Sequence, residues 1–292
     1  MTDRRIGDVA CSAIGLGGAK LSLLPHDRDA AVRLVQEALD HGVTLLDTAA
    51  AYIPVGDAGH NERLMAQAAR GRADVLVATK GGQTRASETH FVTDARPQTL
   101  RRECEASLRN LEVDQIELYY LHHVDPGVPI EDSVGELFRL REEGKVAQVG
   151  VCNVDVALAT RAASAGPISA VQNAYSPFDR SSEAVREWCT ARDIAFVAYS
   201  PLGGWGRAPY AVAFPGLVEL ARSRGVDVEP LVLAWAVASS PTTVPLIGAT
   251  RRTTLLSSLS ALTLDLDPET VAAVEASILN GPNQHTDEGD QP

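Results

Sequence analysis

The chain has 292 residues, enough for one large domain or two ordinary ones. An apolar fraction of 45% and a charged fraction of 22% describe an ordinary soluble globule, and no run approaches the roughly 20 apolar residues of a membrane span. The net charge of −12 speaks against nucleic-acid or anionic-membrane partners, though a local cluster of donors still suits an anionic cofactor.

The first residues, MTDRRIGDVACSA, hold two arginines but no continuous apolar stretch, so no secretory signal is read. The segment RRIGDVACSA suggests a short hairpin. Cys11, Cys104, Cys152 and Cys189 are widely spaced and include no CxxC, the pattern of reduced cytoplasmic thiols and not of a zinc site. No metal is expected, because no H-E-x-x-H or clustered carboxylate–histidine motif occurs.

Apolar runs of strand length then recur along the chain. They are SAIGLG from Ser12, VTLLD from Val43, VLVATK from Val75 and IELYYLH from Ile116. AQVGVCN from Ala147, SAVQN from Ser169, IAFVAYS from Ile194 and TVPLIG from Thr243 follow. Helical patterns alternate with them: DAAVRLVQEALDHG with its stop at Gly42, a segment opening at Pro97, EDSVGELFRLREEGK ending at Gly144, SSEAVREWCTARD, and PGLVELARSRG. EPLVLAWAVAS after Glu229 and PETVAAVEASIL after Pro268 are additional helices near the C-terminus. Eight strand–helix units without a linker predict an α/β fold, a single-domain (β/α)8 TIM barrel, in preference to two doubly wound domains. The barrel is expected over residues 1–279, with 280–292 as a short polar tail.

Chemistry in such a barrel sits at the C-terminal strand ends. Asp47, Lys80, His122, Asn153, Gln172 and Tyr199 all fall at or next to such ends, with Tyr52 five residues beyond Asp47. A polar residue after an apolar run is usually only the start of a loop, and Asp47–Lys80 alone reads equally well as a structural ion pair. Six chemically suited residues at six strand ends favour a site. GLGG at Gly15 to Gly18 is only a partial phosphate-loop match and reads as a tight turn.

The segments GVTLLDTAAAY with GHNERL, VLVATKGG, SLRNLEVDQIELYYLHHVD, LREEGKVAQVGVCN, VQNAYSPFDR, VAYSPLGG and VPLIGATR, in that order, resemble the aldo-keto reductase superfamily along nearly the whole chain. The likeness is greatest to bacterial and channel-subunit-like branches with short C-termini. The resemblance implies NADPH-dependent reduction of an aldehyde or ketone by a cytoplasmic enzyme, with Asp47, Tyr52, Lys80 and His122 as the catalytic set. It further implies that Cys152, Asn153 and Gln172 meet the carboxamide of the NADP(H) nicotinamide and that Tyr199 stacks on its ring. Ser200, Pro201, Leu202 and Gly203 would run along the pyrophosphate. Gly248, Thr250, Arg251 and Arg252 would hold the adenosine end and its 2′-phosphate. Ile53, His123 and Trp205 are expected to face a small-molecule carbonyl substrate.

The chain departs from the family pattern in carrying Cys152 where Ser is usual and Ser257–Ser258 where Glu-Asn is usual. Tyr52 would be the general acid, with Lys80 pulling its pKa down. Trp205, Tyr210, Phe214, Ile53 and Phe91 are candidates for an apolar mouth, and Arg85 and Arg207 for anion acceptors. The alternative function is a cofactor-binding regulatory subunit of the same fold with little turnover. A C=C reductase is disfavoured by His122. Oligomeric state and physiological substrate stay open.

Overall fold

The computed structural model describes residues 4–24, 27–204 and 207–281. Its strands are β1 (Arg4–Ile6), β2 (Val9–Cys11), β3 (Gly15–Gly17), β4 (Leu45–Asp47), β5 (Leu76–Gly81), β6 (Gln83–Arg85), β7 (Phe91–Thr93), β8 (Ile116–Leu121), β9 (Val146–Cys152), β10 (Ala170–Ala174), β11 (Ala195–Tyr199) and β12 (Thr243–Ile247). The helices are α1 (Lys20–Leu23), α2 (Arg28–Asp40), α3 (His60–Ala69), α4 (Pro97–Leu111), α5 (Ile130–Glu142), α6 (Val156–Ala165), α7 (Glu183–Thr190), α8 (Tyr210–Ala213), α9 (Pro215–Ser223), α10 (Val228–Ala238), α11 (Arg252–Leu259) and α12 (Pro268–Leu279).

The strands β3, β4, β5, β8, β9, β10, β11 and β12 are parallel and close on themselves, β12 pairing with β3. All eight apolar runs singled out in the sequence are these strands, so the (β/α)8 TIM barrel is the observed fold. Such strands must be apolar on both faces because helices cover the outside and side chains fill the inside. Leu45, Leu76, Ala78, Leu118, Tyr120, Val197, Val244 and Leu246 fill the interior. Outside, the α2 face of Val32, Val35, Ala38 and Leu39 packs with Leu64 and Met65 of α3. Among the described residues no helix is long and apolar enough to cross a membrane.

Helices α1, α3, α6, α8 and α11, and a second hairpin, are present beyond those that the sequence pattern predicts. Strands β6 and β7 pair antiparallel inside what reads as one long loop after Lys80. Three of the described helices begin on side-chain caps: Asp27 accepts from the Ala30 N–H before α2, Asp155 from the Leu158 N–H before α6, and Asp267 from the Thr270 N–H before α12. The tail at 282–292 and Trp205 lie outside the described residues.

The expected N-terminal hairpin is present as the antiparallel pair β1–β2. Ile6, fully buried, joins the cluster of interior barrel side chains. The Arg4 guanidinium donates to the carbonyls of Val237 (2.6 Å), Thr243 (3.3 Å) and Ser240 (3.3 Å), tying the hairpin to the start of β12. The hairpin therefore closes the barrel end opposite the strand exits. Ile6→Ala should lower unfolding free energy by about 2–5 kcal/mol through lost transfer energy plus a cavity. Urea titration checks this through a lower midpoint at unchanged slope.

Candidate active site

Each of the polar residues at a strand exit is delivered by the register of the barrel. Leu46 pairs with Val77 and Asp47 with Ala78, which sets Asp47 beside the end of β5. Lys80 pairs with Tyr120, and His122 directly follows β8, its N–H donating to the Gly81 carbonyl at 2.9 Å. Lys80 is fully buried and Asp47 nearly so. The Lys80 ammonium donates to Asp47 Oδ1 (2.6 Å), to the Thr48 carbonyl (2.8 Å) and to the Tyr52 hydroxyl (3.4 Å). The other Asp47 oxygen accepts from Gln172 Nε2 at 2.7 Å, across the barrel mouth. The Tyr52 and His122 rings meet edge-on with centroids 5.6 Å apart. Asp47, Tyr52, Lys80 and His122 are thus one contiguous group.

Burial decides the charge states. It alone would pull the Lys80 ammonium down, but Asp47 and Tyr52 beside it hold the pKa above its ordinary value. The Tyr52 phenol is pushed up by burial, and the neighbouring Lys80 only partly offsets that. The expectation that Lys80 would bring the phenol below its usual value is corrected here, because desolvation of a phenolate outweighs the attraction. His122 lies well below the usual histidine range, through burial first and then the positive charge of Lys80, so it is neutral at neutral pH. Its Nδ1 is buried and finds no partner among the protein atoms.

A cavity of about 840 Å³ opens above this group. Its lining includes Asp47, Tyr52, His122, His123, Asn153, Gln172, Tyr199, Ser200, Pro201, Leu202 and Gly248. The Tyr199 hydroxyl donates to Asn153 Oδ1 (2.8 Å), and Asn153 Nδ2 donates to the His122 carbonyl (3.0 Å). Those bonds fix the Tyr199 ring in the cavity wall. Asn153 (φ 57°) and Ser200 (φ 52°) both hold left-handed backbone where β9 and β11 end. Non-glycine residues in that region store strain and gather at functional sites.

Several assigned residues sit elsewhere. Cys152 is buried among the interior barrel side chains, its thiol pushed up by burial, and does not line the cavity. Arg252 is exposed and ion-paired with Glu37 (2.6 Å), and Arg251 is exposed at the N-cap of α11. Gly203, Thr250 and Ile53 are likewise outside the lining, although Gly204, Thr253, Thr254, Ser257 and Ser258 are in it. Tyr210 and Phe214 are buried, packing with Phe178 at ring separations of 5.1 and 4.9 Å, so they anchor their loop and form no mouth. Arg85 is spent on the carbonyls of Ile53, Ser87 and Glu88.

Two cationic side chains in the lining were less visible beforehand. Lys20 opens α1, a single turn after an apolar strand, so no local pattern marks it in the sequence. Arg207 was noted only as a substrate-side anion acceptor. It lies 3.4 Å from Glu229 and over the Tyr210 ring. Burial, then the charge of Arg207, pulls the Lys20 ammonium down. A cavity of this size, near the top of the range of about 300–1,000 Å³ typical of ligand sites and lined by two cations and the first turn of α11, fits an extended anionic cofactor. Tyr52 and His122 line the same cavity.

The profile of the aldo/keto reductase family matches residues 13–278. An uncharacterized oxidoreductase of Schizosaccharomyces pombe is 29% identical over 278 residues, spanning 93% of this chain and 88% of its own. An aldo/keto reductase from Klebsiella pneumoniae, solved with NADP and acetate, superimposes with a TM-score of 0.80 at 28% identity over 99% of both chains. A glycerol dehydrogenase from Gluconobacter oxydans superimposes with a TM-score of 0.84 over 99% of both chains, at 24% identity, a likeness of fold.

The buried ion pair carries a stability prediction. Lys80→Met leaves Asp47 buried without its counter-charge and should cost about 3–5 kcal/mol of unfolding free energy. Adding Asp47→Asn should restore part of that loss, because the stranded charge is removed; denaturant midpoints of the three proteins measure both steps.

Proposed function

The chain belongs to the aldo/keto reductase family and is an oxidoreductase, and we propose that it reduces an aldehyde or ketone to an alcohol with NADPH, using Tyr52 as general acid. The observation that carries this reading is the contact of a buried, charge-paired Lys80 with a Tyr52 hydroxyl that faces the cavity beside a neutral His122. The cofactor would supply the hydride; everything else falls to the chain's own side chains.

Tyr52, held as a phenol by burial, is a competent proton donor at neutral pH. Lys80 stabilises the phenolate left behind once the proton has gone, and Asp47 keeps the ammonium oriented. Neutral His122 polarises and aligns the carbonyl oxygen without competing for its proton. Tyr199 would stack on the nicotinamide, its tilt set by the bond to Asn153. Gln172 is committed through its amide nitrogen to Asp47, so in this reading its main part is to hold the carboxylate. Lys20, Arg207 and the backbone from Ser200 to Leu202 would meet the pyrophosphate. Arg251 and Arg252 would take the 2′-phosphate, with Arg252 exchanging Glu37 for it. His123, Ile53 and Trp205 are proposed to touch the substrate.

Tyr52→Phe should lower turnover by about 10²–10⁴-fold while NADPH binding, followed by fluorescence, is retained. The assay is loss of nicotinamide absorbance with a panel of aldehydes and ketones; binding without turnover on every carbonyl would replace the enzyme reading by a regulatory one. The raised Tyr52 pKa places the alkaline limb of the reduction profile above the ordinary phenol value, since activity is lost only as the phenol ionises. Arg251→Ala with Arg252→Ala should erase the preference for NADPH over NADH; an unchanged ratio of kcat/KM values would remove both arginines from the assignment.

A further inference from the structure

The exit of β5 sends consecutive backbone groups to separate parts of the site. The Lys80 carbonyl accepts from the Ala50 N–H at 3.1 Å, in the loop that leads to Tyr52. The Gly81 carbonyl accepts from the His122 N–H at 2.9 Å. The N–H of Gly82 belongs to the same rigid peptide plane as that Gly81 carbonyl. It points outward, away from the cavity, and donates to Glu103 Oε2 on α4 at 2.6 Å. One peptide group is therefore held at one end by a catalytic-site backbone and at the other by a half-buried carboxylate behind the barrel.

We propose that Glu103 is a positioning residue for the candidate active site, gripping the Gly81–Gly82 peptide and through it fixing His122 and the end of β5 beside Lys80. This rests on the carbonyl-reductase reading only for its effect on turnover. The grip needs the two glycines. A Cβ on Gly81 would stand 2.1 Å from the Tyr119 hydroxyl and 3.2 Å from Glu103 Oε2, and Gly82 has φ +89°. Without a side chain at either position the carboxylate can come up to the backbone directly.

The grip also depends on charge. A hydrogen bond to an ionised acceptor is roughly twice as strong as one between neutral groups, and bonded peptides polarise one another. The Glu103 carboxyl is pushed up to about 7, by burial first; the Gly82 N–H and Arg102 pull it back, while Asp94 and Glu62 push it further. The groups facing it are Glu62 on α3, Asp94 before α4, Arg102 and Cys104 on α4, and Tyr119 on β8, whose buried hydroxyl has no protein partner. Both Cys104 (pushed up to about 12) and Tyr119 stay neutral near pH 7, so Glu103 is the member of this set that changes charge there. The sign follows: below pH 7 the carboxyl is neutral and the grip weak, above it ionised and strong. Burial disfavours the ionised form, and a glutamine keeps the shape and an acceptor oxygen for the Gly82 N–H, so Glu103→Gln is expected to fold.

The experiment is a pH titration of the amide signals of protein labelled with ¹⁵N-glycine and ¹⁵N-histidine, run beside steady-state NADPH-dependent reduction. In the wild type the Gly82 and His122 amides should shift together with one inflection near pH 7; in Glu103→Gln both inflections should vanish. Wild-type kcat should fall about three- to tenfold as pH drops through 7, while Glu103→Gln stays at a low, level kcat in that window with KM within about twofold. Amides without an inflection, or an inflection that survives in the glutamine variant, overturn the proposal. So does a glutamine variant with the wild-type kcat–pH profile. Coupled amides in a protein that turns over no carbonyl would support the grip and sink the reductase reading instead.

Discussion

The site is built around one buried ion pair. Lys80 and Asp47 lie almost wholly out of water, and neither is tolerable there without the other. Asp47 spends its two oxygens on Lys80 and Gln172, from β5 and β10, while Lys80 spends its protons on Asp47, the Thr48 carbonyl and Tyr52. Asp47, Lys80, Tyr52 and Gln172 are therefore placed by reference to the same carboxylate and ammonium, while the His122 N–H is set by the Gly81 carbonyl. Barrel closure makes this possible, because β4 and β10 are not neighbours in the sheet yet Asp47 and Gln172 meet across its mouth.

Environment then sets Tyr52 and His122 apart. Tyr52 and His122 touch, and both are pressed toward their neutral forms by burial. For a phenol the neutral form carries a proton to give. For an imidazole it is the form that has already lost one. Lys80 acts on both in the same electrostatic sense, easing the phenolate and opposing the imidazolium. A single fixed positive charge thus makes the tyrosine the better donor of the pair.

The strands were legible because each must be continuously apolar, and the polar residues ending those runs stood out against that background. Asp47, Lys80 and His122 are read directly in this way, and Tyr52 by its spacing from Asp47. What stayed hidden depends on partners far away in the chain. Arg252 reads as an unengaged cation until Glu37, on another helix, is seen paired with it. Tyr210 and Phe214 look like a mouth until Phe178 fills the space between them. Cys152 is one residue short of the strand exit, and strand alternation turns it into the barrel while Asn153 reaches the cavity. Helices α6 and α11 are short and weakly patterned, which is why their segments pass as loops. Lys20 is a lone cation in an apolar stretch, with no local pattern to mark it.

The β1–β2 hairpin leaves the barrel with a single wet end. Ile6 sits against Leu45, Leu76, Val244 and Leu246, a dry plug between the catalytic group and the opposite rim. Among the described residues the side chains around Ile6 are mostly apolar, so the Tyr52–Lys80 group opens to the cavity side. The Tyr52 hydroxyl therefore faces the same cavity that Lys20 and Arg207 line, and the buried ion pair behind it is reached from that side.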